Sequence, residues 1–189
     1  APLSDDMAIG RLQAESEAIA AASAGITPVI LRLPHIYGPG RDRPFELMCR
    51  GEFFVFGDGS NPMHHLHVED FIEVLARAAD ADVPPGVYNI VDDEAEPYGA
   101  WCDFITDWCG VARLPRLTYE EALDGGHAAR WLGPHMAGAD ALRELYAYMT
   151  SHAVLDNRRM KRHFGTRFRY RSWRDGLRGM LVDAGYPGP

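Results

Sequence analysis

The sequence predicts an α/β protein, the second part of a doubly wound domain rather than a whole one. Three observations carry this. "TPVILRLP" (residues 27–34) is β-branched and apolar on both faces, the pattern of a strand covered on both sides. "AIGRLQAESEAIAAASA" (8–24), dense in Ala, Leu, Glu and Gln, is a helix immediately before it. Only one comparable strand follows, "GVYNIVDD" (86–93), after a series of short mixed elements.

Each element has a local reason. Ser4, Asp5 and Asp6 offer caps and a negative first turn to the first helix, and Gly25 suits its end. Its Ala-dominated face suits close packing on a sheet or another helix. Pro34 ends the strand, and "PFELMCR" (44–50) starts a short helix with Pro at its first position. "GEFFVFGDGSN" is a short apolar strand with an Asp-Gly turn, and "HLHV" is another short strand. "EDFIEVLARAAD" (69–80) is an amphipathic helix with Phe71, Leu75 and Ala78 near one face. "YGAWCDFITDWCG" is a helix stopped by Gly110, and "TYEEAL" opens a helix with Thr118 as cap and Glu121 completing a capping box. Residues 136–150 and 156–164 read as helical, and "SWRDGLRGMLVDAGY" as a final helix capped by Ser172. No internal repeat or low-complexity linker interrupts the chain.

Composition narrows the function classes. With 189 residues the chain can bury a real core, as one domain or a domain and a half. Apolar residues at 47% and charged residues at 24% exclude disorder, and a net charge of −8 disfavours a nucleic-acid partner. The run "NRRMKRHFGTRFRYRSWRDGLR" (157–178) is a basic exception that could touch phosphates. Interleaved Phe164, Phe168, Tyr170, Trp173 and Leu177 make it mainly a solvated amphipathic helix, a turn and a second helix. Cys49, Cys102 and Cys109 lack metal spacing; Cys102 and Cys109, a heptad apart, read as small buried residues on one helix face. No long apolar run or signal peptide is evident, so a soluble cytoplasmic protein with no membrane partner is expected. Lys161 is the only lysine, which limits any lysine chemistry to that position.

The run from helix 8–24 through "LRLPHIYGPG", "FGDGSNPMHHLHVEDFIEVLARA" and "GVYNIVDDE" resembles the C-terminal half of the NAD-dependent epimerase/dehydratase family, the extended short-chain dehydrogenases. The family's Arg-Pro strand with Tyr-Gly-Pro-Gly matches Arg32 to Gly40. Its glycine turn, His-Val-Asp-Asp and Tyr-Asn-Ile segments match Gly57–Asn61, His67–Asp70 and Tyr88–Ile90, and "VLDNRRMKRHFGTRFRYRSWRDGL" resembles its tail. The resemblance implies a partial Rossmann-like fold plus a small mixed α/β substrate-binding lobe. Residues 1–189 are then one compact unit, with 1–43 and 86–93 the remnant of the dinucleotide-fold sheet and 44–85 and 94–189 the substrate lobe.

Two parts of the family pattern are not found. No G-x-x-G-x-x-G follows a strand to hold a pyrophosphate. The family's Tyr-x-x-x-Lys pair, with an acidic residue one turn on, aligns with Met7, Arg11 and Glu15. A thioether carries no titratable proton, and an arginine that could contact a nicotinamide ribose cannot replace a phenol. The chain alone is therefore expected to bind no cofactor and to perform no redox step; NAD(P) would be held if the N-terminal half is present, with Arg11 and Pro34 beside it.

Further site residues follow from the same resemblance. Met63 and His64 replace an Arg-Asp pair that grips a diphosphate in nucleotide-sugar relatives, so a smaller or less charged substrate is expected. His65 and His67 share a strand face while His64 points away; no further ligand stands at metal spacing, so the cluster reads as pocket edge and helix cap, or as a proton carrier. His35 either faces substrate or packs, Tyr37 packs under its loop or lines the pocket, and Arg41 and Arg43 are the anionic-ligand candidates. Glu69 and Asp70 are expected to cap the following helix, and Trp101, Trp108 and Trp131 to lie in the core. Three functions follow: an NAD(P)-linked sugar or small-molecule oxidoreductase, epimerase or dehydratase whose cofactor half is elsewhere; a cofactor-independent isomerase, lyase or cyclase using His35, His65 or His67; or a non-catalytic binding or scaffold protein. The apolar edge of strand 27–34 and the Ala-rich helix imply a homodimer or a partner chain.

Overall fold

The computed structural model describes residues 6–41, 43–80, 82–127, 130, 139–186 and 188, with 6–8 and 43 described by backbone alone. Ser4, Asp5, Trp131 and residues 136–138 lie outside the described residues, so the cap, core and helix expected there are not addressed. Helix α1 (Asp6–Ala20) runs into a 3-10 turn (Ala21–Ala24) that ends on Gly25 in the left-handed region, and β1 (Val29–Arg32) follows. β1 pairs in parallel with β6 (Gly86–Asn89), Val29 opposite Gly86 and Arg32 opposite Asn89. Between them come β2 (His35–Tyr37), α2 (Arg43–Cys49), β3 (Val55–Phe56), β4 (Pro62–Met63), β5 (His65–His67) and α3 (Val68–Ala78). After β6 come β7 (Glu96–Pro97), α4 (Tyr98–Cys109), β8 (Arg116–Leu117), α5 (Tyr119–Asp124), α6 (Ala139–Met149), α7 (Arg158–Phe164) and α8 (Trp173–Asp183).

The sheet is fragmented into two-stranded pieces among the described residues. β1–β6, β2–β5 and β3–β8 are parallel, and β4–β7 is antiparallel. Two apolar clusters flank them. One joins Leu66, Val74, Val83, Tyr88, Ile90, Met160 and Phe164 beneath β6, α3 and α7. The other, larger, gathers Phe45, Met48, Phe54, Phe56, Trp101, Ile105, Leu142, Trp173 and Leu177 from α2, β3, α4, α6 and α8.

Several local expectations change. Val29, Ile30 and Leu31 are only half-buried, because β6 covers one edge of β1 and no strand pairs the other among the described residues. α1 buries none of its described side chains; it is held to β1 by a two-pronged Arg32–Glu15 pair at 2.8 and 2.7 Å, and leaves Ile9, Leu12 and Ile19 exposed. In α3 the buried positions are Asp70 and Val74, while Leu75 is 51% exposed: one residue is 100° of helix, enough to turn it outward. Thr118 and Glu121 do form the capping box, but Ser172 sits at the α8 N-cap without a side-chain cap bond.

Cys102 is buried as expected, whereas Cys109 is joined to Cys49 by a disulfide with the Cα atoms 5.3 Å apart. Heptad spacing put the two helical cysteines on one face, but α2 packs on α4 and brings a third sulfur to Cys109. The bond closes a separation of 60 residues and ties the large core's two inner helices together. Closing a loop of this length restricts the unfolded chain by up to about 4 kcal/mol in the chain-entropy account. Cys49→Ala is expected to lower unfolding free energy by roughly 2–4 kcal/mol in denaturant titration, and reductant is expected to leave that variant unchanged while destabilising the parent.

Candidate active site

The short β2–β5 ladder builds the site. His35 lies opposite His65 and Tyr37 opposite His67, so the pleat puts four rings on one face while Leu66 points into the smaller core. The rings meet at close range: His35–His65 centroids are 5.4 Å apart and Tyr37–His67 5.1 Å. Trp101 from α4 stacks on His65 at 5.1 Å with its plane inclined 11°, and meets the edge of His35 at 5.4 Å. Trp173, at the start of α8, closes the box 6.1 Å from His65.

Burial determines the protonation of these rings. His65 is 1% exposed, and desolvation pushes its imidazole well below the ordinary histidine range, reinforced by its His35 and His64 neighbours. Desolvation likewise pushes His35 down to about 4, with Arg41 adding to the effect. Both are neutral near pH 7. Nδ1 of His35, both ring nitrogens of His65 and the indole nitrogens of Trp101 and Trp173 have no hydrogen-bond partner among the described residues. Such a box offers donors and acceptors to a polar group, and an environment in which an imidazolium is costly.

The neighbouring histidines have structural partners. His64 Nδ1 lies 2.8 Å from Asp92 Oδ1, and the Leu155 amide donates to His64 Nε2 at 3.0 Å. Nε2 must therefore accept and Nδ1 must carry the proton, donated to Asp92. Burial raises the Asp92 carboxyl, and the His64 hydrogen bond pulls it back. His67 is the N-cap of α3: its Nδ1 accepts the Glu69 amide at 3.3 Å. The acids expected to cap the helix instead hold the tail. Asp70 accepts the Arg169 and Tyr170 amides at 2.7 and 3.1 Å, and Glu69 pairs with the Arg169 guanidinium and the Tyr170 hydroxyl. A histidine's ring nitrogen can serve as cap acceptor as well as a carboxylate, which freed both acids for the longer reach.

Tyr37 is 1% exposed, with its hydroxyl 3.5 Å from the Trp173 carbonyl. Gly176 permits this approach; a Cβ there would overlap the Tyr37 ring and hydroxyl. Met63 is buried in β4, opposite Glu96 of β7. Arg41 is exposed at the strand tip, and the side chains of Arg43 and Met7 lie outside the described residues. Arg11, Glu15, Arg32, Leu33, Pro34 and Tyr148 line a separate open cavity of about 590 Å³ between α1 and the end of β1. Trp101, Trp173 and Asp92 were not singled out as site residues by the sequence. Each lies far along the chain from the histidine it touches, so no local spacing signals it.

Residues 8–91 match the model of the NAD dependent epimerase/dehydratase family, which bears out the resemblance carried by the strand-tip, glycine-turn and Tyr-Asn-Ile motifs. Solved structures match more of the chain. A functionally unknown conserved protein from Silicibacter pomeroyi is 26% identical, covering 82% of this chain and 49% of its own, with a TM-score of 0.62. The human epimerase family protein SDR39U1, solved with NADPH, is 15% identical over 82% of this chain and 48% of its own, TM-score 0.65. The dTDP-glucose 4,6-dehydratase of Bacillus anthracis, solved with NAD, is 17% identical over 89% of this chain and 48% of its own, TM-score 0.64. The chain thus spans about half the length of these structures, and its fold is the partial Rossmann-like α/β arrangement they share. No curated protein matches it.

The neutral rings make stability pH-dependent. Unfolded histidine protonates near pH 6.5, folded His35 only near 4, so unfolding takes up protons between these values. Their contribution is present above about pH 6.5 and is lost as pH falls toward 4. Asp92 and Asp70, raised by burial, act with the opposite sign. The readout is therefore a difference: His35→Phe is expected to flatten the fall in melting temperature between neutral and mildly acidic buffer. An unchanged fall would show that His35 is not held neutral.

Proposed function

We propose that these residues form the substrate lobe and outer sheet strands of an NAD(P)-linked epimerase, dehydratase or oxidoreductase type of protein, acting on a small molecule other than a nucleotide sugar. The carrying observation is the Arg32–Glu15 fork. It holds α1 against β1 with Arg11 one turn before Glu15 on the wall of the 590 Å³ cavity, and Met7 a turn earlier along the helix. Those are the positions at which the family resemblance sets its lysine and tyrosine.

The residues present fit only part of a dinucleotide. Arg11 and the backbone at Pro34 suit the nicotinamide ribose end. The family's pyrophosphate turn, a G-x-x-G-x-x-G between a strand and a helix, is not found in the sequence, and the Gly38-Pro39-Gly40 turn between β2 and α2 lacks that spacing. No redox step is routed through this chain alone: methionine at the tyrosine position has no proton to give. The absence of an arginine at Met63 and the engagement of His64 with Asp92 support a substrate without a diphosphate.

A second reading has an observation of its own. The unpartnered nitrogens of His35 and His65 favour cofactor-independent proton transfer, as in an isomerase, lyase or cyclase, with His35 the better placed because it is the less buried. The uncovered edge of β1 and the exposed Ile9, Leu12 and Ile19 of α1 support pairing with further chain, as a homodimer or with a partner. Among the described residues no helix is long and apolar enough to cross a membrane. A cytoplasmic location suits nicotinamide chemistry.

Titration of the 189-residue chain with NADH or NADPH, followed by nicotinamide fluorescence, is expected to give no saturable binding to millimolar concentration, and light scattering is expected to give a dimer or a larger species. Tight stoichiometric uptake of the dinucleotide, or a monomer at micromolar concentration, overturns the corresponding part of the reading.

A further inference from the structure

The basic run of residues 157–178 holds nine arginines and lysines against one acid, Asp175. Most of these cations have partners. Arg158 pairs with Asp156, Lys161 with Asp93, Arg169 with Glu69, Arg174 with Glu96 and Arg178 with Asp175, while Arg159 donates to the Pro85 carbonyl and lies over the Tyr88 ring. Arg162, Arg167 and Arg171 have no ion pair among the described residues. Two of these three, Arg167 and Arg171, line one cavity.

That cavity, about 460 Å³, lies between α7 and the segment leading to α8, and Met160, Lys161, Thr166 and Phe168 complete its wall with Asp93. The Asp93 carboxylate accepts from Lys161 and, at 2.8 Å, from Asn157, so its charge is already met. The two arginines leave the lining with a surplus of two positive charges, in a chain whose net charge is −8. The Thr166 hydroxyl is buried and among the described residues engages only the Met160 sulfur at 3.7 Å, a weak acceptor that a stronger one displaces. Met160 and Phe168 supply an apolar side, and the volume is that of a small-molecule pocket.

The geometry points to a binding site for a small phosphomonoester with an apolar body, at this cavity and apart from the His35–His65 box. A dianionic phosphoryl group matches the charge surplus, paired guanidinium forks suit its oxygens, and Met160 and Phe168 face the rest of the ligand. This stands independently of the nicotinamide reading, because it needs neither cofactor nor turnover.

Calorimetric titration of the whole chain with phenyl phosphate tests it, with inorganic phosphate and phenol as comparisons. Saturable one-to-one binding of phenyl phosphate is expected, tighter than inorganic phosphate, with none for phenol. The double substitution Arg167→Gln and Arg171→Gln is expected to weaken binding at least tenfold and to flatten its salt dependence, while Arg162→Gln leaves it unchanged. These arginines are exposed, and melting curves verify that each variant folds; were the double variant to unfold, the single ones are expected to lose several-fold each. No saturable binding, equal affinity for the two phosphates, or an equal loss in Arg162→Gln overturns the assignment.

Discussion

The three-residue parallel ladder between β2 and β5 is the constraint on which the other features depend. It sits between the two apolar clusters, and its pleat sorts side chains between them: Leu66 to the smaller, Tyr37 to the larger, with His35, His65 and His67 beside Tyr37. A slip of one residue would carry two histidines into the place of Leu66 and expose the leucine to the ring box. The register is thus held by the cost of burying imidazoles in the wrong core, more than by a handful of ladder hydrogen bonds. Once it is set, Trp101 and Trp173 have a flat surface to pack on, and α4 and α8 are oriented.

Acidic residues at strand–helix junctions fasten the basic tail around this ladder. Asp70 takes two consecutive tail amides, and three residues later Trp173 reaches His65. Asn157 performs the converse service, donating to the Val91 and Asp92 carbonyls and to Asp93, while the Leu155 amide fixes the His64 tautomer. Burial raises the carboxyl of Asp70 even with its two amide donors, so this anchor combines a desolvation cost with hydrogen bonds that a protonated acid would make less well. The tail's charges are in this way largely spent on the fold, and what remains unpaired is concentrated near Arg167 and Arg171.

Local chemistry made many elements readable. The capping box of Thr118 and Glu121, the left-handed stop at Gly110, the proline-limited β1 and the amphipathic α3 all depend on interactions within about one turn of helix or a few strand residues. Separation by pleat also placed His65 and His67 together and His64 apart. Less legible were the roles of Glu69 and Asp70, read as caps, and of Cys109, read as an unbonded core residue. In each case the deciding partner, Arg169, Tyr170 or Cys49, stands far away in sequence, where spacing carries no information.

The amino-acid order by itself placed most of the helices and the strands β1, β3, β5 and β6, and carried the family resemblance of residues 8–91. These follow from short-range sterics, capping and periodicity. Tertiary structure alone decided that His64 is bound to Asp92, that His35 and His65 share a closed aromatic box, and that two of the tail's arginines flank one cavity. Such facts come from packing distant segments together, where burial changes what a side chain can hold: an imidazole free to titrate in the unfolded chain is held neutral once Trp101 and Trp173 close over it.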